Sequence, residues 1–107
     1  MPMLKFKGIP KEEVLKKSTA LTNELVETIK CPRETLTIEL LDTAFIADGK
    51  EVVSPTIVEV FWFSRSQEVK DEVAKIITKY FRNDRIFLDI IFFELEKNSY
   101  YENGTHF

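Results

Sequence analysis

The chain begins Met1-Pro2-Met3-Leu4-Lys5-Phe6-Lys7-Gly8, and this stretch decides how the rest is interpreted. Apolar residues and lysines mix in a strand-like run that stops at Gly8. Proline lacks the N–H that a sheet ladder needs, so Pro2 belongs at the first residue of that strand. If Met1 is removed, Pro2 carries a free secondary amine, which is a candidate general base or nucleophile. The alternative is that Met-Pro is an ordinary start without a chemical role.

Length and composition are those of one small globular domain. The chain has 107 residues, of which 44% are hydrophobic and 31% charged, so residues 1–107 are predicted to form a single domain. Nine phenylalanines are many for this length, and they predict a large buried surface or a subunit interface. The net charge of −3 argues against a nucleic-acid partner, because such a partner requires a basic surface.

The sequence contains no predicted membrane segment and no recognisable signal peptide. It has no run of about 20 apolar residues, and its start lacks a long apolar region. The single cysteine, Cys31, cannot form an internal disulfide, which fits a reducing compartment. We therefore expect a cytoplasmic protein without membrane contact. His106 is the only histidine, and neither a metal nor a cofactor is expected.

The first half of the chain predicts a strand–helix–strand unit. Pro10, followed shortly by two acids, indicates a helix start. The helix must end near Lys30, because Pro32 disfavours helical geometry at the residue before it. Thr35–Leu41 alternates and is rich in β-formers, so it is predicted as the second strand. The apolar stripe of the helix recurs at about 3.6-residue spacing and includes Val14, Leu21, Leu25 and Ile29.

The second half predicts a hairpin and then another strand–helix–strand unit. Asp48-Gly49, between two β-rich runs, is a two-residue hairpin signal. Thr56–Phe63 is apolar almost throughout, so we expect a strand that is covered on both faces. Ser64 and Gln67 fit a capping box at the start of the second helix. Arg85–Leu95 is predicted as the last long strand. The apolar residues of the second helix are Val69, Val73, Ile76, Ile77 and Tyr80.

The two halves resemble each other. In each, a proline introduces a strand, a helix follows, and the helix leads into another strand. We predict a tandem βαβ duplication with pseudo-repeats 1–43 and 55–96, in the α/β (α+β) class. The expected sheet is four-stranded and mixed, with two helices on one face. Its other face is then bare and, with so many aromatic residues, is expected to meet other subunits.

Several motifs along the chain carry a family resemblance. Asp42–Gly49 matches Asp-Thr-x-x-Met-Ala-Asp-Gly of 5-carboxymethyl-2-hydroxymuconate isomerase, and Arg65-Ser66 matches its Gly-Arg-Ser. Asp84–Phe87 is similar to the Asp-Arg-Val-Tyr of macrophage migration inhibitory factor. The chain thus resembles the tautomerase superfamily. Within it, the Met-Pro start and the tail Tyr101–Phe107 are similar to those of a family of small bacterial proteins.

This resemblance implies an architecture and an activity. It implies a MIF-like fold, a homotrimer, and a site at each subunit boundary built on Pro2 after Met1 removal. The implied activity is that of a tautomerase or isomerase acting on small 2-oxo acids. Moving a proton between carbon and oxygen needs a base near neutral pH, and a free α-amine has a pKa of about 7.7–8.0. No cofactor is implied.

Four further residues are candidates for contact with substrate. By the resemblance, Arg65 takes the place of the isomerase's substrate arginine, suited to a carboxylate; alternatively it is a solvated surface residue. Arg33 is a candidate second arginine, although loop arginines are usually solvated. Phe87 is a candidate apolar wall, or part of the core. Asp89 is unusual in an apolar strand and faces the site, a subunit interface or solvent.

Two other functions stay open from the sequence. One is a non-catalytic trimeric protein that keeps the tautomerase fold. The other follows from the βαββαβ order, which also describes ferredoxin-like domains that bind small molecules or RNA. The acidic composition and the lack of an RNP-like aromatic motif argue against RNA. The tail, including Tyr100 and Phe107, is expected either to pack on a neighbouring subunit or to form a local hairpin.

Overall fold

The chain folds around a four-stranded mixed sheet. In the computed structural model, which describes residues 1–107, the four strands are β1 Met3–Lys7, β2 Thr37–Leu40, β5 Ile57–Phe63 and β6 Asp89–Leu95. Their order in the sheet is β2–β1–β5–β6. The two outer pairs, β1–β2 and β5–β6, are parallel, whereas the central pair β1–β5 is antiparallel.

Two helices cover one face of this sheet. They are α1, Lys11–Ile29, and α2, Gln67–Phe81, and they also contact each other. The predicted apolar stripes form the core, because alternate strand residues such as Phe6 and Trp62 point toward the helices and are fully buried. The predicted α+β fold is therefore confirmed. Neither helix combines the length and the apolar character needed to cross a bilayer.

The ends of α1 follow from its flanking residues. The carbonyl of Pro10 accepts from the N–H groups of Glu13 and Val14, at 3.1 and 3.2 Å, so the proline precedes the first turn as predicted. At the other end, Lys30 has φ 60° and its N–H donates to the carbonyl of Val26 at 2.9 Å. This left-handed residue closes the helix before Pro32.

The start of α2 differs from the prediction. Ser66, not Ser64, is the capping residue, and its hydroxyl accepts from the N–H of Val69 at 3.3 Å. Gln67 is then the first helical residue and bonds Asp71 along the helix at 2.9 Å, so it cannot reach back as a capping box requires. The predicted pair of Ser64 and Gln67 was wrong by two positions along the chain.

The last long strand begins later than predicted. The N–H of Arg85 donates to the carbonyl of Arg82 at 2.8 Å, which turns the chain back toward the helices. Sheet pairing starts only at Asp89, whose N–H donates to the carbonyl of Thr56 at 3.1 Å. The segment 85–88 is therefore a connection and not a strand, because its arginine is bound to the helical layer.

Two small hairpins lie outside the main sheet. The first joins β3 Phe45–Ala47 to β4 Lys50–Val52 through Asp48 and Gly49, with φ angles of 51° and 75°. Two successive positive φ values are those of a type I′ turn, as the Asp-Gly pair predicted. The second hairpin joins β7 Tyr101–Glu102 to β8 Thr105–His106 at the Asn-Gly pair that was predicted as a turn.

Gly8 ends β1 at a point where the backbone of another segment comes very close. Its φ of 74° lies in the left-handed region, and a side-chain carbon there would lie only 2.3 Å from the carbonyl oxygen of Pro55. The hydroxyl of Thr56 also donates to the carbonyl of Gly8 at 3.3 Å. Only glycine allows β1 to end this close to the start of β5.

The face of the sheet away from the helices is open in the single chain. We expected β5 to be covered on both faces, but away from the helices only Phe63 is buried, beneath the C-terminal tail, whereas Ile57, Glu59 and Phe61 are partly exposed. On the open side, Phe61 stacks on Phe93 with ring centroids 4.5 Å apart, and the ammonium of Lys5 lies 4.7 Å from the Phe61 ring. Ile91 beside them is exposed. The open face is a mixed apolar and charged surface.

An ion-pair cluster ties α1 to the turn after α2. Both carboxylate oxygens of Glu13 are paired with the guanidinium of Arg85, at 2.8 and 3.2 Å, and Asn83 donates to one of them at 2.7 Å. Lys17 adds a further ion pair at 2.9 Å. Mainly because of the hydrogen bonds from Arg85, the pKa of Glu13 falls from 4.5 to about 2.

Replacing Glu13 should weaken folding in a pH-dependent way. The folded pKa of Glu13 lies below its unfolded value, so its stabilisation is complete above pH 4.5 and is lost as pH falls toward 2. We expect Glu13→Gln to lower the free energy of unfolding by about 1–2 kcal/mol at pH 7, and by less as the pH falls through this range. Urea unfolding at several pH values measures this.

Glu12→Gln is the matched control for this experiment. Glu12 is the exposed neighbouring acid and makes no ion pair. The Glu12→Gln variant should therefore have an unfolding free energy within about 0.5 kcal/mol of the parent's. An equal loss in both variants, or a loss for Glu13→Gln that does not change with pH, would contradict the role given to this cluster.

Candidate active site

Pro2 lies fully buried at the start of β1. Its carbonyl accepts from the N–H of Thr37 at 3.1 Å, which attaches the beginning of the chain to the beginning of β2. Proline needs no hydrogen-bond partner for its nitrogen here, as expected for the first position of a strand. While Met1 is attached, that nitrogen is an amide without basicity. Pro2 is thus positioned by the sheet, and its chemistry depends on Met1.

The antiparallel pairing of β1 with β5 brings Arg65 to the same end of the sheet. Met3 is paired with Phe61, so the residues that end β5 lie beside the N-terminus. Arg65 is half-buried; its Nη1 donates to the carbonyl of Phe63 at 3.0 Å, and its guanidinium lies 5.7 Å from the ring of Trp62. Nη1 also donates to the carbonyl of Ser64 at 3.4 Å, whereas the N–H groups of Nε and Nη2 have no partner in the chain and are available to a carboxylate.

The C-terminal tail folds over the N-terminus. The hydroxyl of Tyr100 donates to the sulfur of Met1 at 2.9 Å. The rings of Phe63, Tyr100 and Phe107 form a cluster with centroids 4.8 to 5.6 Å apart. The ammonium of Lys97 lies 5.8 Å from the centroid of Phe63. In the single chain the tail is therefore a local hairpin packed on its own sheet, which was one of the two expectations.

Sequence reasoning gave Tyr100 and Lys97 no part in the site. The only indication was the similarity of the tail to that of one bacterial family, and this similarity did not show where the tail packs. A short 3₁₀ turn, Lys97–Ser99, follows β6 and turns Tyr100 back toward the sheet. Local patterns do not reveal such a contact, because it joins the two ends of the chain.

The environment of the N-terminus disfavours a positive charge. The pKa of the Met1 amine lies below its ordinary value, first because burial removes water from the ammonium and then because the Arg65 guanidinium is close. Cys31 acts against these two effects, and Lys97, the smallest of the four influences, again lowers the pKa. The Met1 amine therefore stays in its neutral form, which can accept a proton, down to a lower pH than a free peptide amine does.

Arg33 lies at the same end of the sheet but is occupied elsewhere. It opens a short 3₁₀ turn, Arg33–Thr35, just before β2. Its Nη1 donates to the side-chain oxygen of Asn23, on α1, at 2.6 Å, and the residue is exposed. Within one chain, the structure therefore gives Arg33 a contact with the helix and none with Pro2.

Phe87 and Asp89 lie at the opposite end of the sheet. Asp89 pairs with Ile57, which in turn pairs with Lys7 at the far end of β1 from Pro2. A strand of this length spans roughly 20 Å, so neither residue reaches Pro2 of its own chain. Phe87 is 77% exposed, which excludes the core role considered for it.

The largest cavity of the single chain is not at Pro2. It measures about 880 Å³ and lies between the start of α1 and the ends of β1 and β2. Its walls include Ile9, Leu15, Leu41 and Ser54, and none of the candidate site residues lines it. No group of three or more His, Cys, Asp or Glu side chains is arranged to hold a metal ion.

Comparison with known proteins assigns the chain to a family. Residues 1–106 match the family described as a domain of unknown function, DUF1904. The chain belongs to this family. A DUF1904 crystal structure from Sebaldella termitidis ATCC 33386 is 35% identical over 100% of both chains, with a TM-score of 0.91. A protein from Vibrio cholerae O1 biovar eltor is 32% identical over 99% of this chain and 87% of that one, with a TM-score of 0.86. No curated protein matches significantly.

More distant solved structures show the tautomerase fold in this DUF1904 protein. A macrophage migration inhibitory factor-like protein from Entamoeba histolytica is 14% identical over 99% of this chain and 98% of that one, with a TM-score of 0.72. A wild-type fused 4-OT solved as an asymmetric trimer is 14% identical, with coverage of 97% and 94% and a TM-score of 0.75. Pt0534 inactivated by 2-oxo-3-pentynoate is 11% identical, with coverage of 98% and 94% and a TM-score of 0.72. These likenesses confirm the predicted MIF-like fold.

The N-terminal amine should titrate below the ordinary α-amino range of about 7.7–8.0. Replacing Arg65 by alanine removes a nearby cation, so it should raise the pKa of the Met1 amine. The pH dependence of N-terminal acetylation, followed by mass spectrometry, measures both values. Lys50→Ala, in the remote first hairpin, should change nothing. An amine that titrates like a free peptide's, or one that is indifferent to Arg65→Ala, would contradict this electrostatic description.

Proposed function

We propose that this chain is one tautomerase-like domain that assembles as a homotrimer and isomerises small 2-oxo acids in the cytoplasm. Its general base is the amine of Pro2, exposed by removal of Met1. The observation that carries the proposal is the placement of Pro2 and Arg65 together, in surroundings that keep an amine neutral. A free, unpaired Cys31 supports the reducing compartment.

Removal of Met1 is the step that the chemistry requires. Proline is small, and methionine removal normally precedes small residues. The proline nitrogen then changes from an amide to a secondary amine without moving the strand, because Thr37 holds Pro2 through its carbonyl. The amine arises one residue from the Met1 amine, whose pKa is lowered first by burial and then by the positive charge of Arg65, and we expect the same influences to act on it.

Ketonisation of an enol then uses one base for both proton transfers. Arg65 binds the carboxylate of the 2-hydroxy enol through its unpaired N–H groups. The neutral Pro2 amine accepts the enol hydroxyl proton, and the electron pair of the C=C bond takes a proton from the resulting ammonium. The carbon next to the new carbonyl thereby gains the proton that the oxygen lost, and the amine returns to its neutral form.

A trimer gives the distant candidates a place in the site. Phe87 and Asp89 are too far from Pro2 of their own chain, so only a neighbouring subunit can bring them near it. The open sheet face, with Phe61, Ile91 and Phe93, is a surface suited to such contact. The fused 4-OT of the same fold is itself a trimer. In this assembly the Phe87 ring forms an apolar wall of the site. The negative charge of Asp89 partly offsets the effect of Arg65 and Lys97 on the pKa of the amine.

A non-catalytic trimer is the second candidate, and one observation favours it. With Met1 in place, Pro2 has no basic nitrogen, and the hydrogen bond from Tyr100 holds Met1 over the site. A protein that retains Met1 in its host would keep the fold and the assembly without the reaction. Intact mass measurement of protein from its native host distinguishes the two candidates, since only the catalytic one requires that Met1 be absent.

The assembled protein should have a mass of about three chains. Size exclusion coupled to light scattering measures it at micromolar concentration. Phe93→Glu places a charge in the centre of the open face and should shift the mass toward one chain, because a buried unpaired charge is costly. Glu51→Lys, on the exposed hairpin strand β4, is the control and should leave the trimer intact. A parent that runs as a monomer would refute the architecture.

Processed protein should ketonise phenylenolpyruvate, and Arg65→Ala should lower kcat/KM by at least about tenfold. The reason is the loss of the charge-assisted bonds to the substrate carboxylate, while the fold and the trimer persist. Ultraviolet absorbance follows the reaction. A processed, trimeric parent without activity would refute the catalytic proposal, and full activity in Arg65→Ala would remove that residue from the site.

The base can be tested independently of turnover. In 2-oxo-3-pentynoate the alkyne is conjugated to the ketone, so the Pro2 nitrogen can add to its far carbon and the N–H proton moves to the near carbon. The product carries the whole reagent, and peptide mass spectrometry should find it on Pro2 of the processed protein. Protein with Met1 retained should stay unlabelled there, and Pro2→Ala should keep some activity because a primary amine remains.

A further inference from the structure

The side chain of Met1 is half-buried and contacts the tail. Its sulfur accepts from the Tyr100 hydroxyl at 2.9 Å, and Tyr100 in turn contacts Phe63 and Phe107. Its amine lies within the electrostatic influence of Arg65 and Lys97. Met1 thus contacts a polar donor at one end and a cationic region at the other.

The removal of Met1 frees the space in front of the Pro2 nitrogen. The carbonyl carbon of Met1 is bonded to that nitrogen, so the space of the Met1 backbone becomes the space where a reacting carbon must lie. The space of the Met1 amine, near Arg65, is where a carboxylate fits. The space vacated by the Met1 side chain extends from the position of the reacting carbon to the hydroxyl of Tyr100.

We propose that Met1 occupies the place of the substrate, and that Tyr100 contacts the substrate's side chain once Met1 has left. The substrate class is then an unbranched 2-oxo acid with a sulfur or oxygen acceptor two or three atoms beyond its reacting carbon. This proposal rests on the proposed tautomerase function and specifies its substrate. It makes Tyr100 a specificity-determining residue of the site.

The physical basis is the unpaired hydroxyl that Met1 leaves behind. Tyr100 is half-buried among aromatic rings, and its only side-chain hydrogen bond is the one to Met1. A half-buried hydroxyl that loses this partner can bond water instead, so a ligand acceptor that replaces the water gains only the small net free energy of one hydrogen bond. A thioether is a weak acceptor, so an ether oxygen at the same position should bind at least as well.

Three matched probes test the contact. They are 4-methylthio-2-oxobutanoate, 4-methoxy-2-oxobutanoate and 2-oxohexanoate, which carry sulfur, oxygen and a methylene at the same place in the chain. In D₂O, a base that removes a C3 proton and returns a deuteron leaves an NMR-visible exchange with any of them. We expect processed protein to favour the sulfur and oxygen compounds over 2-oxohexanoate by about three- to tenfold in kcat/KM.

Tyr100→Phe removes the hydroxyl and keeps the ring, so it should remove this preference. The three probes should then react within about twofold of one another, although the absolute rates are free to change. Tyr101→Phe is the matched control, because Tyr101 is an exposed neighbour whose ring contacts His106 and not Met1. It should keep the parent's preference.

The outcomes separate this proposal from the function on which it rests. A processed parent that exchanges none of the probes and is not labelled by 2-oxo-3-pentynoate contradicts the tautomerase function itself. A parent that exchanges all three equally, or a Tyr100→Phe variant with the same preference as the parent, overturns the role of Tyr100 alone. The substrate ratio is the decisive readout, because a purely structural loss would lower all three rates together.

Discussion

The antiparallel pairing of β1 with β5 is the constraint on which the rest of the structure depends. These are the two central strands, and each has a parallel partner on its outer side. Their pairing brings the start of the chain to the end of β5, so Pro2 meets Arg65 although the two are far apart in sequence. The same pairing places both helices on one face and leaves the other face open.

This geometry explains why the candidate site residues do not all come together in one chain. The N-terminal amine, the Arg65 guanidinium and the aromatic rings of the tail lie at one end of the sheet. Asp89 and Phe87 belong to the opposite end, because β6 runs parallel to β5. In the proposed trimer, a neighbouring subunit would bring the two ends together, whereas the largest cavity within one chain lies away from Pro2.

Much of the fold was predictable because local patterns determine it. The periodicity of the two helices, the proline before each first strand and the Asp-Gly pair gave the elements and their order. Boundaries set by tertiary contacts were not predictable: Arg85 was read as strand, but its pairing with Glu13 draws that segment to the helices. The contact between Tyr100 and Met1 was missed for the same reason, since no local pattern joins the chain's two ends.

The glycine that ends β1 has a consequence for how this family can vary in sequence. Gly8 is remote from Pro2, yet a side chain there would collide with the backbone at Pro55 and force the two central strands to shift. Gly8 directly follows β1, so such a shift would act on the strand that positions the buried proline. The placement of Pro2 thus depends on a residue that lies at the other end of the strand. Chains that lose Gly8 while keeping Pro2 and Arg65 would preserve the motif and lose its alignment.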